Sequence, residues 1–144
     1  MADKYDCLKL DNQLCFPLYA CSKGIVKAYK PFLDEINLTY TQYITMMVVW
    51  ETEEVSSKEL GGRLYLDSGT LTPVLKSLES KGLVTRKRSQ ADERNLIITL
   101  TDSGRELKDK AVNVPGQMMA CSSLSAEDAQ TLYVILRKMM TSLG

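Results

Sequence analysis

Histidine is absent from the 144 residues of this chain, and its absence removes whole classes of function. A Ser-His-Asp triad, a Cys-His nucleophile pair and a histidine-based metal site all need an imidazole. The four cysteines, at positions 7, 15, 21 and 121, follow no zinc-ligand spacing and are expected to be free thiols. We therefore expect no enzymatic activity, no metal and no cofactor.

Net charge and long apolar runs are missing as well. The 18 basic and 18 acidic residues cancel, so any surface for nucleic acid must come from local clustering of charge. The N-terminal stretch is the charged MADKYDCLKLDNQ, without a signal-peptide core, and no run reaches the ~18 apolar residues of a membrane span. These absences predict a cytoplasmic protein, and 44% apolar residues suffice for one domain over 1–144.

The first predicted element is a long helix, because apolar residues recur at helical spacing from position 10 onward. We expect it to run from about Asn12 to about Leu33, with Asp11 as a candidate cap. Cys21 lies on its apolar pattern and is expected in the core. Pro17 lacks a backbone N–H, so a helix that starts at position 12 should be kinked there.

Two capping-box patterns predict the next helices. In such a box, a side chain accepts from the backbone N–H three residues on, and that residue's side chain binds back to the cap. Thr39 and Gln42 form the first pattern, ahead of a buried apolar run. Ser56 and Glu59 form the second, which opens a short helix to about Leu64.

Beyond position 66 the chain alternates between helical and strand patterns. The expected elements are, in order, a helix over 67–81 capped by Asp67 or Ser68, strands over 83–89 and 96–101, a helical stretch from Thr101 that bends at Pro115, and a last helix from Ser125. Pro73 falls within or just after the first turn of the helix over 67–81, where its cost is smallest. Short helices followed by one hairpin are the outline of a winged helix-turn-helix. The sequence therefore predicts a mainly α-helical fold with recognition helix 67–81 and wing 84–100.

This outline points to DNA. Small polar residues at the start of the helix over 67–81 suit close approach to base edges, and backbone N–H groups there suit phosphate. Within 86–94 the hairpin carries four basic and two acidic side chains, a local charge of +2. The candidate DNA-binding residues are Ser68, Gly69, Thr70, Thr72, Lys76, Arg86, Lys87, Asp92 and Arg94.

Arg94 is the candidate for minor-groove contact. An arginine at a hairpin tip can enter the minor groove, where the potential is most negative. Asp92 is expected to hold its guanidinium through a bidentate pair. The competing interpretation is an ordinary amphipathic helix followed by a solvated, charged hairpin.

The chain resembles a known family. The DNA-binding core of MarR-family repressors is similar to LYLDSGTLTPVLKSLESKGLVTRKRSQADERNLIITLT, and the organic hydroperoxide-sensing OhrR branch is similar to DNQLCFPLY and YKPFLDEINLTYTQY. The resemblance implies a homodimer, held by helices over about 8–36 and 101–144, that represses transcription on a pseudo-palindromic operator. It also implies that Cys15 senses the peroxide and that tyrosine hydroxyls hold its thiolate. These hydroxyls belong to Tyr29, Tyr40 and Tyr19.

Helix geometry adds a condition to that implication. Tyr29 lies 14 positions after Cys15, which is roughly 21 Å along a straight helix at 1.5 Å per residue. A continuous helix would prevent contact within one chain, so the tyrosine must reach the Cys15 of a partner. Oxidation first gives a sulfenic acid, which can condense with a second thiol. The resemblance implies Cys121 for that role, and Cys7 is expected to be a solvated thiol.

Several alternatives stay open at this point. Pro17 departs from the pattern of the branch, and Cys121 could be a thiol in a Met-rich interface beside Met118 and Met119. The tyrosines could be ordinary amphipathic interface residues. A MarR-type repressor that responds to a small ligand or a general oxidant would keep the DNA prediction without Cys15. A thiol peroxidase and a non-DNA interaction module are the other two possibilities.

Overall fold

Seven α-helices and one small antiparallel sheet make up the computed structural model, which describes residues 3–144. The helices are α1 Cys15–Asp34, α2 Tyr40–Thr52, α3 Ser57–Leu64, α4 Ser68–Ser80, α5 Asp102–Ala111, α6 Val114–Ala120 and α7 Ala126–Leu143. The strands are β1 Glu54–Ser56, β2 Val84–Arg88 and β3 Leu96–Leu100. This architecture confirms the mainly helical, winged helix-turn-helix fold. No helix within the described residues is long and apolar enough to cross a membrane.

Helix α2 is the central element of the core, and its predicted cap is confirmed. The Thr39 side chain accepts from the Gln42 N–H at 3.3 Å, and the Thr39 N–H donates to Gln42 Oε1 at 3.0 Å, so both halves of the capping box form. Behind it, most of the apolar run is buried, with Met46 and Val49 fully enclosed, whereas Met47 is exposed. At α3, Ser56 accepts from the Glu59 N–H at 3.1 Å.

Helices α3 and α4 form the helix-turn-helix. Tyr65 ends α3 in the left-handed conformation, with φ of 55°. Asp67, rather than Ser68, caps α4 by accepting from the Thr70 N–H at 2.7 Å. Pro73 lies in the second turn of α4, one turn later than its most favourable position, and it is exposed.

The sheet contains one strand that the sequence did not indicate. Its order is β1-β3-β2, with Val84 opposite Leu100 and Arg88 opposite Leu96 in the wing hairpin. Strand β1 pairs with β3 through Glu54–Ser56, which is too short a stretch to show an alternating pattern. The pairing fixes the wing to the turn between α2 and α3.

Helix α1 corrects four expectations, which concern its first residue, its cap, a kink at Pro17 and the burial of Cys21. The helix begins at Cys15, after two short 3₁₀ turns, and Leu14 rather than Asp11 precedes it without a side-chain cap. Pro17 is therefore the third helical residue, where no N–H is needed, and the predicted kink has no cause. Cys21, expected in the core, is exposed in this chain.

The C-terminal helices depart from the expected bend. Helix α5 ends at Ala111, and α6 begins at Val114 with Pro115 in its first turn. The predicted helical stretch is therefore interrupted before the proline rather than bent at it. Helix α7 starts where the sequence predicts, and Ser125 caps it by accepting from the Asp128 N–H at 3.0 Å. None of the residues of α7 is buried in this chain.

Gly104 is where α5 meets the core, and it yields a stability prediction. The Trp50 indole N–H donates to the Gly104 carbonyl at 2.8 Å, and a Cβ on Gly104 would lie 2.2 Å from the Leu83 carbonyl oxygen. We expect Gly104→Ala to lower the free energy of unfolding by about 1–3 kcal/mol, since backbone must move to admit the methyl group. Urea denaturation measures the change.

Gly62 supplies the matched control. It lies within α3, and a Cβ there would meet nothing within 4 Å. Gly62→Ala should raise the free energy of unfolding by about 0.5–1 kcal/mol, because alanine loses less backbone entropy in a helix. Equal effects of the two substitutions would contradict the close packing of α5.

Candidate nucleic-acid interface and thiol site

The start of α4 presents an exposed row of small polar side chains. Ser68, Gly69, Thr70 and Thr72 all face solvent, and Lys76 follows one turn later on the surface. The opposite face of the helix is buried in the core through its leucine and valine residues. Hydrogen bonds from the Thr70 backbone and hydroxyl lower the pKa of the capping carboxyl, which therefore stays ionised. The geometry leaves the first turn free for a ligand.

A cleft of about 640 Å³ separates this helix from the wing. Residues of α3, α4 and the wing loop line it, and they include Lys58, Ser68, Thr72, Asp92, Arg94 and Asn95. The structure thus brings two of the predicted helix residues, Ser68 and Thr72, to the same cleft as the predicted wing-tip residues Asp92 and Arg94. Lys58 and Asn95 were not predicted from the sequence, because neither stands in a recognisable motif.

The hydrogen bond of Asp92 at the wing tip differs from the expected pair with the Arg94 guanidinium. Asp92 Oδ1 accepts from the backbone N–H of Arg94 at 3.0 Å, rather than from its guanidinium. No ion pair of Arg94 occurs within residues 3–144, and its side chain is exposed. A backbone N–H two residues on is the usual partner of an aspartate in a turn, which explains the correction. Asp92 therefore shapes the loop and leaves the arginine free.

Arg86 has an intramolecular partner. Its guanidinium donates to Glu79 Oε1 from Nη2 at 3.0 Å and from Nε at 3.2 Å, and its backbone N–H donates to Glu79 Oε2 at 3.1 Å. The guanidinium beside Glu79 holds the pKa of that carboxyl below its ordinary value. The Arg86 side chain is only 20% exposed, so it ties β2 to α4. Lys87, its neighbour, is exposed.

Three tyrosines meet where α1 packs on α2. The ring centroid of Tyr29 lies 5.0 Å from that of Tyr40 and 5.8 Å from that of Tyr43. Burial, with a smaller effect of Tyr29, raises the pKa of Tyr40 and of Tyr43. Both phenols therefore stay protonated at neutral pH and can donate hydrogen bonds. Tyr43 is 2% exposed and belongs to the core.

Cys15 lies far from these tyrosines in its own chain. It is the first residue of α1, which continues unbroken for 20 residues, and its thiol is exposed. Fourteen helical positions separate it from Tyr29, roughly 21 Å at the usual rise. Tyr19 is exposed one turn away, with the Lys23 ammonium 5.2 Å from its ring centre. Cys121 is also exposed, at the end of α6.

Comparisons with known proteins identify the family to which this chain is similar. Residues 27–111 match the family described as transcriptional regulator SarA/Rot. The organic hydroperoxide resistance transcriptional regulator of Bacillus subtilis is 50% identical over 143 residues, which cover 99% of this chain and 97% of that protein. Reduced AbfR of Staphylococcus epidermidis bound to DNA has a TM-score of 0.82 at 33% identity, covering 98% of this chain and 96% of that one. Disulfide-formed AbfR has a TM-score of 0.61 at 37% identity, covering 97% and 95%.

The fold and these relatives define a winged-helix transcriptional regulator of the MarR type. More specifically, the chain belongs to the organic hydroperoxide resistance regulators, the OhrR branch of that family. These relatives confirm the resemblance to the OhrR branch that the sequence motifs indicated. Because the relatives are transcriptional regulators, a non-enzymatic family, the expectation of no enzymatic activity is also supported.

Proposed function

We propose that this protein is a homodimeric, cytoplasmic repressor that holds duplex DNA while Cys15 is reduced and releases it when an organic hydroperoxide oxidises Cys15. One observation carries the proposal. The exposed thiol of Cys15 lies at the start of the continuous helix α1, whereas the pair of Tyr29 and Tyr40 lies near its other end. The same chain also carries an exposed winged-helix surface. A site made of this thiol and these tyrosines is complete only when two copies meet.

The DNA-binding half follows from the exposed row and the free wing. The start of α4 enters the major groove, where Ser68, Gly69, Thr70 and Thr72 approach the bases and Lys76 meets the backbone. Arg94 enters the minor groove from the wing tip, with the loop held by Asp92. Lys87 reaches phosphate, and Arg86 contributes indirectly by fixing the wing strand against α4.

The dimer follows from apolar surface that this chain leaves uncovered. Large apolar side chains are exposed along α1 and α7, among them Phe16, Ile25, Tyr133 and Ile135. Patches of this kind mark protein interfaces. We assign dimerisation to 8–36 and 101–144, with α5 also packed beneath α2. A two-fold dimer has two equivalent recognition helices, which suits a pseudo-palindromic operator.

The thiol half follows from crossing two α1 helices. In such a dimer Cys15 of one protomer lies against the partner's Tyr29 and Tyr40, whose hydroxyls donate to the thiolate, and Tyr19 adds a third hydroxyl from the next turn. The thiolate attacks the O–O bond of the hydroperoxide, giving a sulfenic acid and an alcohol. A second thiol, from Cys121 of the partner or a small thiol, then displaces water and forms a disulfide.

The fold is more similar to the two DNA-bound forms of AbfR than to its disulfide form. The TM-score is 0.82 for reduced AbfR on DNA, 0.77 for overoxidised AbfR on DNA and 0.61 for disulfide-formed AbfR. Oxidation that repacks the dimer would change the spacing of the two recognition helices, which must match a half-site separation of about 34–36 Å. Loss of that match is sufficient for release.

Fluorescence anisotropy of a labelled duplex from upstream of this protein's own gene tests the proposal. Reduced protein should bind, one equivalent of cumene hydroperoxide should release the duplex, and excess dithiothreitol should restore binding. Binding that is indifferent to peroxide would contradict the redox half alone. Absence of salt-dependent binding to any duplex would contradict the DNA half.

A further inference from the structure

A polar cluster around the buried Gln42 joins the start of α2, which carries Tyr40, to the end of the recognition helix. Gln42 is only 7% exposed, although an amide side chain prefers water. Its Nε2 donates to Ser77 Oγ at 2.9 Å, and its Oε1 accepts from Lys81 Nζ at 2.9 Å. Lys81 Nζ also donates to the Asn37 carbonyl at 2.5 Å. We call Gln42, Ser77 and Lys81 the coupling triad.

The triad contacts the elements that carry the proposed thiol site. Gln42 lies two residues after Tyr40 in the first turn of α2, which turns the two side chains about 200° apart on the helix. Tyr40 therefore faces α1 and Tyr29, whereas Gln42 faces α4. Asn37, gripped by Lys81, lies in the connection between α1 and α2. A shift of Tyr40 moves the turn that Gln42 caps.

The triad also contacts the elements that read DNA. Ser77 and Lys81 are one helical turn apart at the C-terminal end of α4, the recognition helix. Between them, Glu79 holds Arg86 of β2, so the same end of the helix is tied to the wing. Directed hydrogen bonds fix the relative position of α2 and α4, whereas the apolar contacts between them are non-directional.

We propose that Gln42, Ser77 and Lys81 are positioning residues that couple the redox state of the thiol site to the placement of the recognition helix and wing. The inference rests on the proposed function and adds the route by which it works. Every polar group in the cluster has a partner, and a buried amide whose partner is lost must rearrange. The coupling triad therefore favours one placement of α4 while the start of α2 keeps its reduced position.

Removing the triad's contacts to α4 tests the inference. Ser77→Ala with Lys81→Met leaves the α2 cap and all proposed thiol-site and DNA-contacting residues intact. The readout is the ratio of the dissociation constants of cumene hydroperoxide-oxidised and reduced protein for one duplex, measured by anisotropy. Mass spectrometry confirms equal oxidation of Cys15, and circular dichroism confirms folding. Ser77→Ala alone provides a milder variant should the double variant unfold.

We expect oxidation of Cys15 at the wild-type rate and a ratio about tenfold smaller than in wild type, within the range typical of allosteric coupling. The matched control is Ser80→Ala with Lys110→Met, which removes the same groups from exposed positions and should keep the wild-type ratio. Equal weakening of both redox states, or a ratio within twofold of the control, would overturn the inference alone. A wild-type ratio near one would overturn the proposed function and the inference with it.

Discussion

A Cys15→Ser protein should remain on its operator after one equivalent of an organic hydroperoxide, whereas wild-type protein should lose affinity about 100-fold. A hydroxyl cannot be oxidised to the sulfenic acid that starts release. Within its own chain the thiol is exposed at the first position of α1, so serine removes no packing contact of the protomer, and its hydroxyl can still accept from the partner's tyrosines. Anisotropy before and after peroxide measures the effect.

Cys21→Ser is the matched control for this prediction. Its thiol is exposed on the same helix, six positions further on, and no sensing role is proposed for it. The control should release DNA as wild type does. A Cys15→Ser protein that still dissociates with peroxide would reject Cys15 as the sensor and favour a ligand or general-oxidant response.

The second large effect is expected from Arg94→Ala. Reduced protein should bind the operator about 10- to 100-fold more weakly, because each wing loses the guanidinium that we propose enters the minor groove. Asp92 still shapes the loop through a backbone N–H, so the substitution removes a contact and leaves the wing folded. The slope of log affinity against log salt should flatten by about one unit for each wing.

Arg105→Ala is the control for charge. This exposed arginine of α5 pairs with Glu53 at 3.0 Å, away from the cleft between α4 and the wing. Its loss should leave both affinity and salt slope nearly unchanged. If Arg94→Ala and Arg105→Ala behaved alike, Arg94 would have no minor-groove role.

Local chemistry made part of the fold predictable. The Thr39–Gln42 box and the Asp67 and Ser125 caps are short-range hydrogen bonds that depend on three or four neighbouring residues. The wing strands were predicted almost to the residue, because strand-forming residues on either side of a polar loop are a local signal too. The start of α1 was missed, since the apolar repeat continues upstream of Cys15 into 3₁₀ turns.

Hydrogen bonds between residues far apart in the chain could not be predicted from the sequence. Arg86 reads as one more basic wing residue, and only the folded chain gives it Glu79 as a partner. Gln42 reads as half of a capping box, yet its amide also binds Ser77, 35 positions away. Cys21 follows an apolar pattern but is exposed in its own chain. An apolar pattern predicts that a helix face is buried, but it does not distinguish burial within one chain from burial against a partner.

The central claim is that Cys15 and the tyrosines form one site across two protomers. A mixed dimer tests it, with Cys15→Ser in one protomer and Tyr29→Phe plus Tyr40→Phe in the other. Its only Cys15 belongs to the chain without the two tyrosine hydroxyls and faces the chain that keeps them. The measurement is the rate at which cumene hydroperoxide converts that thiol to a trapped sulfenic acid, read by mass spectrometry of the Cys15 peptide. The account predicts the wild-type rate per thiol, and the slower rate of the homodimer that carries both phenylalanine substitutions would contradict it.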